Sequence, residues 1–191
     1  MRLDNHRRKL LVAATIASNL FLLTAIQIYG QSAKHISAVA RGTSTQLGRI
    51  INIDIRISSL STAADQAVLL EAFQADGSEG LANALDKMKA KGRIAITGTL
   101  GFDLNYIRRF PQPDGSVLIR FVTDRPIYFT EKWASTRTLD YQISVGEIVI
   151  PKGGKMKGTL MPATKVKLNK KGDIELEAYQ NPWELTNLKV W

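Results

Sequence analysis

The sequence predicts a mainly β protein, a single antiparallel β-sandwich or partly closed β-barrel of about nine strands with a two-helix insertion. Three observations lead to this fold class. Apolar residues occupy alternate positions through most of the chain after residue 47, which is the period of strands with one buried face. Turn-forming residues separate these stretches at short intervals. Only residues 62–91 show helical spacing, and they form the insertion.

The N-terminal segment is typical of an export signal. A basic start precedes residues 10–29, a run without any charged side chain, and small residues then surround Ser32. This order predicts that residues 1–32 are a signal peptide cut after Ser32. The alternative is a membrane anchor formed by residues 10–29, which are numerous enough to span a bilayer. Both interpretations place the rest of the chain in the periplasm or outside the cell.

The following residues predict a linker and then the first strand. Residues 33–46 are small, polar and without a period, so we expect them to join the N-terminal segment to the β domain of residues 47–191. The stretch RIINIDIRIS alternates between apolar and polar side chains, which predicts a strand with one buried face. Its apolar members are Ile51, Ile53, Ile55 and Ile57.

Two short helices are predicted next, within residues 62–91. Thr62 and Asp65 have the spacing of a capping box at a helix N-terminus, and Gly92 is a typical helix stop. The stretch DGSEG separates the two helices. Each helix has an apolar stripe, so we expect both to pack on the sheet. The stripes consist of Ala67, Leu70 and Phe73 in the first helix and Leu81, Ala84, Leu85 and Met88 in the second.

The rest of the chain returns to alternation. It predicts strands in RIAITG, FDLNYIRRF, SVLIRFVT, TLDYQISVGEIVI, GKMKGTL, TKVKLN, DIELEAY and ELTNLKV, with a further short strand at residues 127–129. PQPDG and PKGGK are typical of turns between such strands. Gly146 is a candidate β-bulge, because a glycine inside a strand often marks one.

The absence of cysteine excludes disulfides, thiolate metal sites and cysteine nucleophiles. The chain has two histidines, His6 and His35, and both precede the predicted β domain. We therefore expect the folded domain to lack histidine, which would exclude a Ser-His-Asp triad and histidine zinc ligands. No cofactor and no metal are expected, and the chain is more typical of a non-enzyme than of an enzyme.

A lysine cluster is the strongest anomaly in composition. The chain carries a net charge of +9, and no acid occurs between Glu147 and Asp173. Alternation predicts that four of these lysines share the outer face of a hairpin. Such a face could dock on an anionic envelope component or a membrane surface, or it could be a solvated face that protects edge strands. Nucleic acid is disfavoured because the stretch has no arginine and no aromatic residue. The four lysines are Lys155, Lys157, Lys165 and Lys167.

A second candidate site surrounds the stretch TDRPIYFTEKW. Aromatic, arginine and acidic side chains are close together in sequence there, and this combination suits a small ligand such as a carbohydrate or a small acid. The same residues could instead cap a turn and close the end of the core. Two of the acids, Asp124 and Asp140, could also act as the paired carboxylates of a hydrolase. The candidate residues are Asp124, Arg125, Tyr128, Trp133, Arg137, Asp140 and Tyr141.

Several short motifs resemble a family of exported bacterial β-rich proteins that has no assigned function. They are Asp124-Arg125-Pro126-Ile127, Asp140-Tyr141, the stretch from Ile174 to Tyr179, and Leu185-Thr186-Asn187. The resemblance covers most of residues 47–190 and implies export and one β-rich domain. It implies no catalytic or binding residue, because the family has no assigned function to transfer.

Together these observations predict an exported, basic protein that acts as a non-enzymatic binding or interaction module of the bacterial envelope. One alternative is a carboxylate-dependent hydrolase. The other is a structural envelope protein that residues 10–29 tether to the membrane.

Overall fold

The computed structural model describes residues 34–127, 140–168 and 174–191, and within them it has ten antiparallel strands and one α-helix. The predicted mainly β fold class is therefore confirmed. Helix α1 spans Ala63–Asp86, and a short 3-10 helix spans Ser44–Gln46. The strands are β1 Lys34–Arg41, β2 Ile50–Ile57, β3 Gly92–Ile96, β4 Phe102–Leu104, β5 Tyr106–Pro111, β6 Val117–Val122, β7 Ile143–Ile150, β8 Lys157–Leu168, β9 Ile174–Ala178 and β10 Trp183–Val190.

The strands form one sheet that nearly closes into a barrel. Their order is β4-β3-β2-β1-β10-β8-β7-β6-β5, and β9 pairs with β8 beside this path. The two ends of the path, β4 and β5, are consecutive in the chain, and only Asn105 separates them. The Leu104 carbonyl accepts a hydrogen bond from the Lys91 N–H at 2.7 Å, while the Asn105 N–H donates to the Val122 carbonyl at 3.0 Å. One stretch of chain thus joins both ends of the sheet.

Apolar side chains fill the interior of the barrel. The nine strands of this path contribute the inward residues, at alternate positions as the period-two pattern predicts, and Ile53 and Ile55 of β2 are fully buried. Trp183 and Phe121 are the largest interior side chains, and both are 1% exposed. The interior is therefore a packed core, as expected for a small barrel.

Helix α1 lies on the outer face of β5–β8 and forms a second core there. Leu69, Phe73 and Leu85 of the helix pack with Val145 of β7 and Val166 of β8. This explains why β7 is buried on both faces, since its alternate residues face either the barrel interior or the helix. Within the described residues, no helix is both long enough and apolar enough to cross a membrane.

The prediction of two separate helices is wrong. One helical element runs from Ala63 to Asp86, and its backbone departs from helical geometry at Asp76 and Gly77. Gly77 has a φ of +57°, a conformation that glycine adopts without steric cost. The predicted separator DGSEG therefore kinks the helix and does not end it. The predicted capping box of Thr62 and Asp65 is present.

The predicted linker is also corrected. Residues 34–41 of the segment 33–46 form β1, which pairs with β2 on one side and β10 on the other. Ile36, Ala38 and Ala40 point into the barrel core. His35 belongs to this strand, so the folded domain contains a histidine after all. The predicted signal or anchor, residues 1–32, lies outside the described residues.

Gly146 is not a bulge, because it pairs in regular register with Phe121 of β6 and Leu160 of β8. Its role is to admit the ring of Phe121, whose Cζ atom would lie 2.1 Å from a Cβ at position 146. Bulges occur instead in β8, opposite Ser144, and in β10, opposite Ala38.

Candidate functional site

The four candidate lysines do not share one face. Met161 precedes the bulge in β8 and Val166 follows it, yet both pack in the core under α1. In a regular strand an odd and an even position would face opposite sides, so the extra residue reverses the alternation. Lys157 therefore lies on the face of Met161, whereas Lys165 and Lys167 lie on the face opposite Val166. The predicted common face of the lysines is wrong for this reason.

Acidic side chains of β9 compensate the lysines at the far end of β8. Lys165 pairs across the strands with Glu177, and the Lys167 ammonium donates to the Glu177 carboxylate at 2.8 Å. The Tyr141 hydroxyl donates to the other oxygen of Glu177, also at 2.8 Å. The hydrogen bond from Lys167 is the largest cause that lowers the pKa of Glu177, and the hydrogen bond to Glu177 raises the pKa of Tyr141. This end of β8 offers little free positive charge.

The lysines at the other end line a groove, which we call the basic groove. Its volume is about 1130 Å³, and it runs over the outer sides of β2, β1 and β10 beside the segment 154–157. Lys155, Lys157 and Lys189 line it together with Trp191. None of these three lysines forms an ion pair with any residue that the structure describes. Trp191 is 72% exposed.

A bulge in β10 shapes the floor of the basic groove. Ser37 pairs with Lys189 and Val39 pairs with Thr186, so two residues of β10 lie opposite Ala38. Asn187 sits in this bulge with a φ of +51°, a conformation that asparagine tolerates better than most residues. The bulge displaces Lys189 by one position relative to a regular strand and so presents it on the outer face beside Ser37.

Trp191 is fixed at the rim by two hydrogen bonds to β1. Its backbone N–H donates to the His35 carbonyl at 2.9 Å, and its indole N–H donates to the Ser37 hydroxyl at 3.2 Å. The indole is thus positioned although most of its surface is open to solvent. An exposed and oriented aromatic side chain beside cations is typical of a binding surface.

Asp54 is the acidic residue among those that line the basic groove. Thr97 donates its hydroxyl to Asp54 at 2.7 Å, and a ring nitrogen of His35 lies 2.8 Å from the other carboxylate oxygen. The hydrogen bond from Thr97, followed by that from His35, lowers the pKa of Asp54. The carboxylate is therefore ionised at neutral pH, and its neighbours satisfy both of its oxygens.

The structure also describes part of the second candidate site. The Arg125 guanidinium donates two hydrogen bonds to the Asp124 carboxylate, at 3.0 and 2.8 Å, and the Asp124 side chain is only 4% exposed. This pairing lowers the pKa of Asp124. Asp124 therefore has no proton to give as a general acid at neutral pH, and a carboxylate held in this way is a weak base. The geometry disfavours the hydrolase interpretation.

The other members of this candidate site are not brought to Asp124 by any contact that the structure describes. Asp140 is exposed, and Tyr141 contacts Glu177 and Tyr179, with a distance of 5.2 Å between the two tyrosine ring centroids. Tyr128, Trp133 and Arg137 lie outside the described residues. Among the described residues there is also no group of three or more His, Cys, Asp or Glu side chains that could hold a metal ion.

Sequence reasoning missed His35, Lys189 and Trp191. The signal for His35 was present, because Ile36, Ala38 and Ala40 alternate with larger or polar residues in KHISAVAR. Lys189 and Trp191 join the groove only through pairing of β10 with β1, which links the two ends of the described chain. Comparison of this chain with family models, with curated proteins and with solved structures finds no match.

Proposed function

We propose that this protein is a non-enzymatic binding module that holds an anionic component of the bacterial envelope in the basic groove. The observation that carries the proposal is the convergence of Lys155, Lys157 and Lys189, without ion-pair partners among the described residues, beside the exposed Trp191.

The physical basis is electrostatic attraction with a contact surface. Unpaired lysines in a concave surface attract anions from solution, because the groove concentrates their field. The indole of Trp191 adds apolar contact area next to the charges, and Ser37 and Asn187 offer polar groups along the floor. Lysine is a compact and strongly hydrated cation. We therefore expect the affinity of the groove for an anionic ligand to depend on the charge density of that ligand and to fall as salt is added.

Export and an envelope location belong to this proposal and rest on the order of charged, apolar and small residues in residues 1–32. A tethered structural protein is the second candidate, and it differs by retaining residues 10–29. The hydrolase interpretation is not favoured, because Asp124 is held by Arg125.

The test compares two double variants that remove the same charge, one beside the basic groove at the start of β8 and one near the end of β8. We expect Lys155→Gln with Lys157→Gln to weaken binding to a soluble polyanion, dextran sulfate, by about thirtyfold, since each of the two lysines contributes about 1 kcal/mol near an anionic surface. Lys165→Gln with Lys167→Gln should have little effect. Titration followed by Trp fluorescence at low and high salt measures this, with uncharged dextran as the ligand control.

Equal losses of affinity for dextran sulfate in the two double variants would contradict the proposal. Binding would then depend on the net charge of the protein and not on the lysines of the basic groove. A lack of binding to dextran sulfate at low salt would contradict it as well. Vesicles with and without anionic phospholipid form a separate arm. Tight binding to anionic vesicles, without binding to the soluble polyanion, would assign the groove to a membrane surface instead.

A further inference from the structure

A second groove lies between α1 and the outer face of the sheet. Its volume is about 380 Å³, which is within the range of small-molecule sites. The kink at Asp76 and Gly77 divides α1 into two halves, and both halves contribute apolar side chains to the groove. Leu69 and Phe73 come from the first half and Leu85 from the second, and the floor is also apolar. We call this the helix–sheet groove.

The rim of the helix–sheet groove is apolar and open to solvent. Leu70 is 46% exposed and Leu176 is 37% exposed, and both line the groove. Half-exposed leucines next to an apolar cleft leave hydrocarbon surface in water that a ligand with an alkyl chain would cover.

One charged side chain, Arg120, lines the groove among the residues that the structure describes. Arg120 lies directly opposite Arg108 across β5 and β6, and both guanidinium groups lie over the Phe110 ring, at 5.5 and 5.8 Å from its centre. Two like charges in opposite positions of a sheet repel each other. An anion between them would remove this repulsion.

The carboxylate that is present satisfies only one of the two arginines. Glu147 accepts from Nε of Arg120 at 2.7 Å and lies 2.6 Å from its Nη2. One terminal nitrogen of Arg108, Nη1, is buried and has no hydrogen-bond partner among the described residues. A buried guanidinium nitrogen without a partner is costly, so this position has an unmet requirement for an acceptor.

We propose that the helix–sheet groove binds a free long-chain carboxylate of the fatty-acid class. Its alkyl chain lies in the groove between α1 and the sheet, over the outer edge of Leu69 and Phe73 and against the half-exposed Leu70 and Leu176. Its carboxylate lies at the end marked by Arg120 and accepts hydrogen bonds from Arg108 and Arg120. Charge complementarity at one end and apolar surface along the rest select an amphipathic anion over a neutral hydrocarbon or a small polar acid.

The test uses the full chain and a matched pair of ligands, hexadecanoate and hexadecanol, which displace a fluorescent polyene fatty acid. We expect hexadecanoate to bind about tenfold more tightly than hexadecanol, because only the acid can accept from the two arginines. Arg108→Gln should abolish this preference and leave hexadecanol binding unchanged. Leu70→Glu should weaken both ligands, and its position on the half-exposed rim keeps the core intact.

Arg93→Gln is the control, since Arg93 also pairs with a carboxylate on the outer sheet surface, that of Asp103, but lies on β3 and is not a cross-strand neighbour of Arg120. It should change neither affinity. The proposal is overturned if hexadecanoate does not displace the probe, if the acid and the alcohol bind equally well, or if neither Arg108→Gln nor Leu70→Glu alters binding. None of these results depends on the basic groove, so they are independent of the anion-binding proposal.

Discussion

The ring of Phe121 occupies the space in which residue 146 would otherwise place a side chain. A Cβ at position 146 would lie 2.1 Å from the Cζ atom of Phe121 and 2.2 Å from its Cε2 atom. Such contacts are far shorter than van der Waals distance, so either the ring or the backbone would have to move. Both residues face the barrel interior, where Phe121 is 1% exposed and has no room to shift.

We therefore expect Gly146→Ala to destabilise the protein by about 2–3 kcal/mol through overpacking of the core. Urea unfolding followed by circular dichroism measures the change. Gly153→Ala is the matched control, because a Cβ there meets nothing within 4 Å, and it should alter stability by less than about 0.5 kcal/mol. An unchanged midpoint for Gly146→Ala would show that the ring is free to move aside.

At the residue scale, sequence patterns identified the inward residues but not their partners. The alternation of Ile53, Ile55 and Ile57 predicted their burial correctly. A glycine inside a strand, by contrast, is consistent with either a bulge or a close contact, and only the cross-strand register identifies Phe121 as the partner of Gly146.

At the scale of elements, the N-terminus of α1 was predictable from local sequence. Thr62 accepts from the Asp65 N–H at 3.1 Å, and Asp65 accepts from the Thr62 N–H at 2.7 Å, which completes the capping box. Lys91 lies 3.2 Å from the same carboxylate. The hydrogen bond from the Thr62 backbone is the largest cause that lowers the pKa of Asp65 in the folded protein.

This lowered pKa gives the cap a defined pH dependence. A carboxyl group with a depressed folded-state pKa stabilises the fold above its unfolded pKa, about 3.9, and loses this contribution as the pH falls through the folded value. Asp65→Asn should therefore cost about 1 kcal/mol at neutral pH, and the difference from the parent protein should vanish in strong acid. Unfolding in urea at several pH values measures the difference. A constant difference across that range would contradict the assigned role.

The bulges were not predictable at this scale. A bulge adds a single residue to one strand, and the sequence on either side still alternates, so GKMKGTL and TKVKLN read as two strands with their lysines in phase. The structure joins most of the two stretches as β8, and its bulge places Lys157 on the opposite face from Lys165 and Lys167. The lysine prediction failed because it required one register along the whole stretch.

At the scale of the whole molecule, β1 is a strand that the sequence pattern did not predict. The sheet depends on it, because it joins β2 to β10. It pairs along its length with β2 and also pairs with β10. The segment was interpreted as a linker because its inward positions include Ala38 and Ala40, small residues whose apolar character is weak. Their size suits the interior, where larger side chains such as Trp183 take the space.

We expect a chain that starts at residue 34 to fold and one that starts at residue 42 not to fold. Removal of β1 would leave both neighbouring strands with unpaired backbone groups and would remove Ile36 from the core. Thermal unfolding followed by circular dichroism distinguishes a cooperative transition from its absence. A cooperative transition at the same temperature in both chains would contradict the prediction.

The position of β1 also limits where a signal peptide can be removed in the export that we propose. Cleavage after Ser32 would leave β1 whole, whereas cleavage beyond residue 41 would remove it. The intact mass of the mature protein therefore has to correspond to a chain that includes Lys34, and retention of residues 10–29 would support the tethered alternative. A mature chain that lacks β1 would contradict the structural role assigned to it.

The pairing of Ile36 with Val190 connects residues from almost opposite ends of the described chain. Contacts of such long sequence separation form slowly and only after the last strand has been synthesised. The sheet of such a nascent polypeptide cannot close before β10 has been synthesised. For a protein that we propose to be exported, this delay keeps the chain unfolded for longer. An unfolded chain can pass through a translocation channel, whereas the folded barrel cannot.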